Sequence, residues 1–390
     1  MKRAAIPIKP FKKISISIVV FFMSFPLWAQ DDARVITTGV PFLLISSDAR
    51  ASGMGDIGVA TSPDAFSQQW NASKYVFSTK KMGVAISYTP YLAELVNDIS
   101  LLNANFYNRI DDRSAYAFSL RYFGLGEIEL RQTPEEPGEI VKPNEFSLDG
   151  SYALKLSEHF SMAVAGRYIR SDLRIQGVDP NARAANSFAV DIGGYYRSDI
   201  RFYNDFDGRW RAGFNISNLG PKIKYDEGGQ ENFLPTNLKF GGGYDFIFDE
   251  FNTLGVFTEF NKLLVPTPSD SNGDGEITSE DAYYNESFFS GVFSSFGDAP
   301  DGFSEELKEF TWALGAEYMY QNAFAFRAGY FNENEAKGAR KFFTIGAGFQ
   351  FRAATIDVSY LFSASKVKNP LENTLRFSLT FAFGEDFEEF

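Results

Sequence analysis

Residues 375–383 read Leu-Arg-Phe-Ser-Leu-Thr-Phe-Ala-Phe. Every second residue is large and apolar, and the residues between are polar or small. Successive side chains of a β-strand point to opposite faces, so this stretch predicts a strand with one apolar face and one polar or small face. The same alternation recurs in residues 148–155, 312–320 and 343–351. The fold is therefore predicted to be all-β.

Alternating runs of this kind predict fourteen strands between residue 81 and the C-terminus. They lie at residues 81–89, 99–109, 114–124, 146–155, 160–170, 187–197, 209–218, 236–248, 252–264, 310–320, 324–331, 342–351, 354–363 and 373–383. The breaks alternate between short ones, such as 352–353, and long ones, such as 265–309, with 198–208 as an exception. An even strand number with short turns at one end and long loops at the other is typical of a transmembrane antiparallel β-barrel in the bacterial outer membrane.

The apolar faces favour a membrane barrel over a soluble sandwich or propeller. A soluble fold buries its apolar face, whereas here that face recurs strand after strand and no blade-length repeat is present. We therefore expect the apolar side chains to point outward into lipid and the long loops to be extracellular. Tyrosines near the strand ends are expected to form interfacial girdles: Tyr88, Tyr168, Tyr195, Tyr196, Tyr318, Tyr320 and Tyr360.

The first 29 residues have the pattern of a secretory signal peptide. Five basic residues accompany an apolar stretch, residues 14–25, and the small residue Ala29 suits cleavage. The apolar stretch is shorter than the ~20 residues that a membrane-spanning helix needs. We therefore exclude residues 1–29 from the fold.

Residues 31–80 do not alternate and are rich in small side chains. Gly53, Gly55 and Gly58 allow tight backbone paths, and Ser62 or Asp64 could cap a short helix. Because no βαβ unit surrounds it, the Gly-x-Gly pattern is weak evidence for phosphate binding. A compact segment that fills the barrel lumen fits the pattern better. The predicted domains are a signal peptide, 1–29, an N-terminal plug segment, 30–80, and the barrel, 81–390, with both termini periplasmic or luminal.

Composition excludes several kinds of function. The chain of 390 residues has no cysteine and a single histidine, His159, which rules out disulfides, thiol nucleophiles and multi-histidine metal sites. Without the basic leader it carries 32 basic and 50 acidic residues, a net charge of −18 that is the wrong sign for a nucleic-acid partner. Asp149, Asp191 and Glu317 fall at inward positions on separate strands and are expected to line a solvated lumen. No catalytic residue is predicted, and the protein is not expected to be an enzyme.

The segment before the barrel resembles the N-terminal plug of the FadL-like outer-membrane proteins, which are fourteen-stranded barrels. The resemblance rests on Asp64-Ala65 and Asn71-Ala72-Ser73, where Ala72 stands in place of the proline that usually follows the asparagine. The longer run from Asp48-Ala49-Arg50 to Trp70-Asn71 resembles the PorV family within that superfamily, the outer-membrane component of the type IX secretion system. The motif also fits the related PorQ branch.

This resemblance implies a role in protein secretion. PorV-like proteins bind the C-terminal signal domain of exported cargo at the SprA/Sov translocon and carry it to an attachment complex that contains the sortase-like PorU. The implied partners are therefore the translocon, the cargo, the attachment complex and outer-membrane lipid, with no catalysis and no required cofactor. The alternative is a FadL-like transporter that passes hydrophobic small molecules through the barrel wall.

Residues 270–281, Asp-Ser-Asn-Gly-Asp-Gly-Glu-Ile-Thr-Ser-Glu-Asp, resemble the calcium loop of an EF-hand. Such a loop places oxygen ligands at alternate positions around one cation and uses a glycine at its sharp turn, here Gly275. Asp281 replaces the usual glutamate at position twelve, which shortens its reach. The alternative is a solvated acidic loop. The predicted calcium ligands are Asp270, Asn272, Asp274, Glu276 and Asp281.

Two long loops carry apolar residues that the barrel pattern does not explain. One interpretation is that they fold inward as a lid over the barrel mouth. The other is a docking surface for cargo or translocon, because exposed apolar patches usually mark interaction sites. The predicted partner-binding residues are Leu92, Leu95, Phe288, Phe289, Phe293 and Phe296.

Overall fold

The computed structural model describes residues 34–131, 138–174, 182–226, 229–274, 277–278, 280–367 and 369–387. These residues all belong to the unit Ala33–Phe390. The predicted signal peptide, residues 1–29, lies outside the described residues, so its cleavage site stays a prediction.

Fourteen long antiparallel strands form the barrel, and each overlaps its predicted position. They are β1 Lys80–Pro90, β2 Ile99–Arg109, β3 Ser114–Leu125, β4 Asn144–Lys155, β5 Phe160–Asp172, β6 Ala185–Arg197, β7 Asp207–Leu219, β8 Asn237–Ile247, β9 Asn252–Leu263, β10 Thr311–Tyr320, β11 Phe324–Asn332, β12 Lys341–Phe351, β13 Ala354–Ser363 and β14 Leu375–Asp386. Each strand pairs with its neighbours in the chain, and β14 pairs with β1. The predicted fold class, a closed fourteen-stranded barrel, is confirmed.

The connections differ between the two ends of the barrel as predicted. The short-turn end holds turns such as the one after β10, where Gln321 and Asn322 have φ of 54° and 51°, the left-handed pair of a tight hairpin turn. It also holds residues 198–206, the one connection at this end that was predicted to be long. Its short strand, Arg201–Phe202, pairs with the start of β7. The long-loop end holds the other seven connections, the largest of which is residues 264–310, hereafter the large loop.

Burial alternates along the strands in the predicted sense. On β14, Leu375 and Phe377 are 44% and 45% exposed, while Arg376 between them is 1% exposed. The apolar face therefore points outward, as it must when lipid is the surrounding solvent. One girdle prediction is wrong: Tyr195 is fully buried in the lumen, where its ring lies 5.6 Å from that of Phe77. No described helix is long and apolar enough to cross a membrane.

The segment before β1 folds as short helices inside the barrel and forms the plug. Its elements are a 3-10 helix, Pro41–Leu44, the helices α1 Ala49–Ser52 and α2 Ser67–Trp70, and a second 3-10 helix, Ala72–Phe77. The large loop carries three more helices, α3 Ala282–Asn285, α4 Phe288–Ser294 and α5 Phe303–Lys308. Two other long loops each contain a small hairpin, Ile128–Leu130 with Glu139–Val141 and Ile223–Lys224 with Glu231–Asn232.

Candidate functional site

Side chains from many strands hold the backbone of the plug. The Ser378 hydroxyl accepts a hydrogen bond from the Ala49 amide at 2.8 Å, and the Thr344 hydroxyl accepts one from Gly55 at 2.9 Å. The Glu259 carboxylate accepts from the amides of Gly58 and Val59, both at 2.9 Å. These bonds come from β14, β12 and β9, so they replace water for plug amides that no helix or sheet would satisfy.

A buried arginine satisfies plug carbonyls in the same way. Arg121 of β3 donates to the carbonyl oxygens of Phe42, Leu43 and Ile45 at 2.8–3.0 Å. These carbonyls lie in and just after the first 3-10 helix, whose last carbonyls lack partners within the helix. A planar guanidinium with several donors can serve all three at once.

An ion-pair network joins the plug to β10, β11 and β13. Arg50 of α1 lies 2.7 Å from Glu317 and 2.9 Å from Asp64. Arg327 lies 2.6 Å from Glu317 and 2.7 Å from Asp357. All five side chains are largely buried. A charge is stable inside a protein only when it is paired, so each partner depends on the others.

A second buried network lies on the opposite wall. Arg167 of β5 pairs with Asp149 of β4 and lies 3.0 Å from Asp191 of β6. Asp191 also accepts from the amide of Asn218 at 2.8 Å. The prediction that Asp149, Asp191 and Glu317 line a solvated lumen is therefore wrong, because the plug displaces water and arginines neutralise the carboxylates.

The residues that carried the family resemblance hold the plug together. Asp48 accepts from the indole nitrogen of Trp70 at 2.6 Å and from the Ala51 amide at 2.8 Å. The Asn71 amide group donates to the carbonyls of Val59 and Gly194. Gly58 lies so close to the Trp70 ring that a Cβ there would be 2.2 Å from it. The motif is thus a set of contacts that fix the plug's internal path.

Little free space remains where the plug meets the wall. A cavity of about 10 Å³, room for one water molecule, lies among Gln68, Ala72, Asp191 and their neighbours. The β3 strand pairs in unbroken register with both β2 and β4. The register shifts lie at Lys80/Met82 of β1 and Ile216/Leu219 of β7. At this site the plug packs closely against the wall.

The start of the described chain interlocks with the β7–β8 loop and with the large loop at the long-loop end. The Gly39 amide donates to the carbonyl of Phe233 at 2.9 Å, and the Tyr283 hydroxyl donates to the carbonyl of Thr37 at 3.3 Å. Phe233, Val265 and Tyr283 form a buried cluster against which Ile36, Tyr284 and Phe288 pack. This cluster attaches the first half of the large loop to the barrel mouth.

A buried ionic network attaches the second half. Lys262 lies 2.6 Å from Glu306 and 2.5 Å from Glu309. Lys337 lies 2.7 Å from Glu305 and 3.0 Å from Glu309. The sequence analysis did not predict that these lysines hold the large loop. A signal was available, because Lys262 falls on the same face of β9 as the apolar residues Phe260 and Val256.

Asp298 lies beside this network with an excess of negative charge around it. Its carboxylate accepts from the Thr267 amide at 3.0 Å. Burial, together with the smaller effects of the charges of Glu309 and Glu306, raises the pKa of Asp298 to about 6, although that hydrogen bond lowers it. The attachment of the large loop therefore contains a carboxyl group that titrates close to neutral pH.

The predicted partner-binding residues occupy different environments. Phe288 is half-buried against the Phe233 cluster, whereas Phe289 and Phe293 are each 65% exposed and Phe296 is 50% exposed. On the first long loop, the Leu92 amide donates to the Pro370 carbonyl, and the Leu95 side chain is exposed. Phe288 thus fits the lid interpretation, and Phe289, Phe293 and Phe296 leave an exposed aromatic surface.

The predicted calcium loop is closed by its own hydrogen bonds. Asp281 accepts from the amides of Thr278 and Ser271 at 2.8 and 2.7 Å and from Asn272 at 3.3 Å, and these bonds lower its pKa. The Asp274 amide donates to Asn272 at 2.9 Å. Gly275 and Glu276 lie outside the described residues, and among the described ones no three acidic side chains converge as a metal site. Calcium binding at Asp270, Asn272, Asp274, Glu276 and Asp281 stays a prediction.

Solved structures with a similar chain path include a channel, a transporter and a FadL homologue, all of low sequence identity. The CymD monoaromatic hydrocarbon channel is 14% identical with a TM-score of 0.49 and covers 87% of this chain and 98% of its own. The Pseudomonas putida toluene transporter TodX is 11% identical with a TM-score of 0.48, over 89% and 97%. A Pseudomonas aeruginosa FadL homologue is 13% identical with a TM-score of 0.44, over 87% and 99%. No curated protein matches the chain.

A family model identifies the chain more specifically. The model for the type IX secretion system protein PorV matches residues 28–270, which is more than half of the chain. The match spans the plug with its Asp48–Trp70 and Asn71 contacts and the strands β1–β9. Together with the closed fourteen-stranded barrel, it makes this an outer-membrane protein. The chain belongs to the PorV family of type IX secretion system proteins.

Proposed function

We propose that this protein is a non-enzymatic cargo carrier of the type IX secretion system. It binds the C-terminal signal domain of exported proteins at an SprA/Sov-type translocon and carries them to the surface attachment complex that contains the sortase-like PorU. The long loops are extracellular in this proposal. Phe387 at the short-turn end is then periplasmic, and Arg34 lies at the outer mouth of the lumen.

The observation that carries the proposal is the contrast between a filled lumen and an exposed large loop. The plug backbone is bonded to at least β9, β12 and β14, and Arg50 of the plug is paired with the buried Glu317. Phe289 and Phe293 instead leave large apolar area in contact with water, which is typical of a protein–protein interface.

The alternative, a FadL-like transporter of hydrophobic small molecules, needs a route through the wall or the lumen. The plug, anchored to β9, β12 and β14, weighs against a route through the lumen. A bound hydrophobic molecule in the purified protein, identified by mass spectrometry after organic extraction, would favour this alternative.

The test is affinity purification of the tagged protein from its own cells, followed by mass spectrometry. We expect a very large barrel and several proteins with a common C-terminal domain to be recovered. The double variant Phe289→Ser/Phe293→Ser should recover less cargo. The matched control is Phe202→Ser, because Phe202 is an 81% exposed aromatic residue at the opposite, short-turn end. Recovery of neither translocon nor cargo with the wild-type protein would contradict the proposal.

A further inference from the structure

Helix α4 packs on the barrel mouth through one face and presents the other to solvent. A Cβ at Gly291 would lie 2.9 Å from the Phe233 ring and 3.0 Å from Pro266, so this residue marks the packed face. Phe289 and Phe293 are two positions away on either side, which places both on the opposite face of a helix. Their rings touch edge to face, with centroids 5.2 Å apart. We call this pair the α4 face.

The loop that carries this face is strongly acidic. Residues 265–310 contain eleven acidic side chains and one lysine, a net charge of −10 in a chain whose total is −13. Glu305, Glu306 and Glu309 are neutralised by Lys262, Lys337 and Arg34, which lies 2.9 Å from Glu305. The remaining acidic groups leave the loop with a large negative charge.

Several acidic groups lie near α4 or on the exposed surface of the loop. Glu286 accepts from the hydroxyls of Ser290 and Ser294 at 2.9 and 2.8 Å, so its carboxylate lies against α4. Glu280 is exposed, and Asp301 is exposed but lies 3.2 Å from Arg34. An apolar centre with charges of one sign around it selects a partner of the opposite sign and speeds its encounter.

We infer that the α4 face is a docking surface for a basic polypeptide segment that inserts apolar side chains between lysines or arginines. The polypeptide class rests on the proposed function; the basic character rests on the charge of the loop. An anionic lipid surface is disfavoured, because the acidic side chains would repel its phosphates. A second copy of this chain is disfavoured by the same repulsion.

The experiment measures binding to the purified full-length protein in amphipol by fluorescence anisotropy. The first probe is a short labelled peptide of lysine, serine and phenylalanine, and its control has glutamate in place of lysine. The second probe is the isolated C-terminal domain of a secreted protein from the same cells. Each is titrated at about 50 mM and about 300 mM NaCl, because screening shortens the reach of surface charges.

We expect the lysine peptide to bind at least about tenfold more tightly than the glutamate peptide at low salt, with a smaller ratio at high salt. Phe289→Ser/Phe293→Ser should raise the Kd of the lysine peptide by about tenfold or more at both salt concentrations. The triple variant Glu280→Gln/Glu286→Gln/Asp301→Asn should weaken the binding of the lysine peptide and make that binding less dependent on salt. Phe202→Ser should change neither the Kd of the lysine peptide nor its salt dependence. All variants should keep the heat-dependent gel shift of a folded barrel.

The outcomes separate this inference from the proposed function. If the lysine peptide binds through the α4 face and the cargo domain does not bind, the inference stands and the cargo role fails. If the cargo domain binds without dependence on Phe289, Phe293 or salt, the inference is overturned and the cargo role stands. Equal binding of the two peptides, flotation with phosphatidylglycerol vesicles through the α4 face, or dimerisation through it would each overturn the inference.

Discussion

The plug and the large loop are both non-barrel segments, and they attach to the barrel in different ways. Hydrogen bonds from β9, β12 and β14, the Arg121 guanidinium and the Arg50 network tie the plug to positions all around the lumen. The large loop is attached at one apolar cluster and one ionic network. A segment held from all sides is suited to sealing, and a loop whose helix α4 packs through one face keeps the other face free for a partner.

The largest effect is expected from breaking the plug's ionic attachment. Arg50→Met leaves Glu317 and Asp64 without this cation in the lumen, and removing one partner of a buried pair costs about 3–5 kcal/mol. The plug should then leave the lumen for part of the time. We expect the wild-type protein to be closed in planar bilayers and the variant to show ion conductance.

The matched control for that experiment is Lys341→Met. Lys341 lies 2.8 Å from Glu335, but Glu335 is 81% exposed. An exposed pair contributes about 1 kcal/mol or less, so this variant should stay closed. A folded Arg50→Met barrel that also stays closed would show that the backbone hydrogen bonds alone retain the plug.

The next effect is expected where the large loop packs. Gly291→Val would push a side chain into the Phe233 ring and Pro266 and should cost about 1–3 kcal/mol of loop packing. Chymotrypsin should then cleave the large loop faster while the barrel keeps its heat-dependent gel shift. The control is Gly297→Val, because nothing lies within 4 Å of a Cβ built at that position. Equal cleavage rates for the two variants would contradict the observed packing of α4.

A smaller effect is expected from the titration of Asp298. The pKa of the Asp298 carboxyl is about 6 in the folded loop and 3.8 in the unfolded loop. As the pH falls, the carboxyl therefore takes up a proton in the folded loop before it does so in the unfolded loop. Loop packing should therefore become more stable as the pH falls through about 6. Hydrogen exchange of residues 264–310, corrected for intrinsic rates, should slow over that range.

Asp298→Asn should remove most of this pH dependence and protect the loop at neutral pH, while an amide oxygen can still accept from the Thr267 amide. The exposed Asp301→Asn serves as the control and should leave the pH dependence in place. Retention of the full pH dependence in Asp298→Asn would assign the titration to another group.

The smallest effect is expected from calcium. Binding must compete with the bonds that Asp281 already accepts from Ser271 and Thr278, so we expect weak affinity, with a Kd of about 10⁻⁴–10⁻³ M. Calorimetry should detect heat that a chelator abolishes and that Asp270→Asn/Asp274→Asn reduces. The absence of heat in the wild-type protein would favour the solvated-loop interpretation.

The sequence predicted the barrel well and the lumen poorly. The outward direction of Leu375 and Phe377 can be predicted from the alternation of residues 375–383, which is a local pattern. The partners of Arg50 and Arg121 do not follow from any local pattern: Arg50 meets Glu317 at 267 positions of separation. The girdle prediction for Tyr195 was wrong because it used only nearness to the strand end: Tyr195 lies on the same face of β6 as the inward Asp191.

The large loop shows the same limit. Its apolar residues are easily seen in the sequence, but the neighbours Phe288 and Phe289 differ in exposure. Only the packing of Gly291 on Phe233 decides which of the two is exposed. The sequence by itself determined the fourteen strands and their lipid-facing sides, because alternation in a strand is set residue by residue by the solvent on each face. The tertiary structure alone decided that the plug is bonded into the lumen and that one face of α4 is free, because both depend on contacts between residues far apart in the chain.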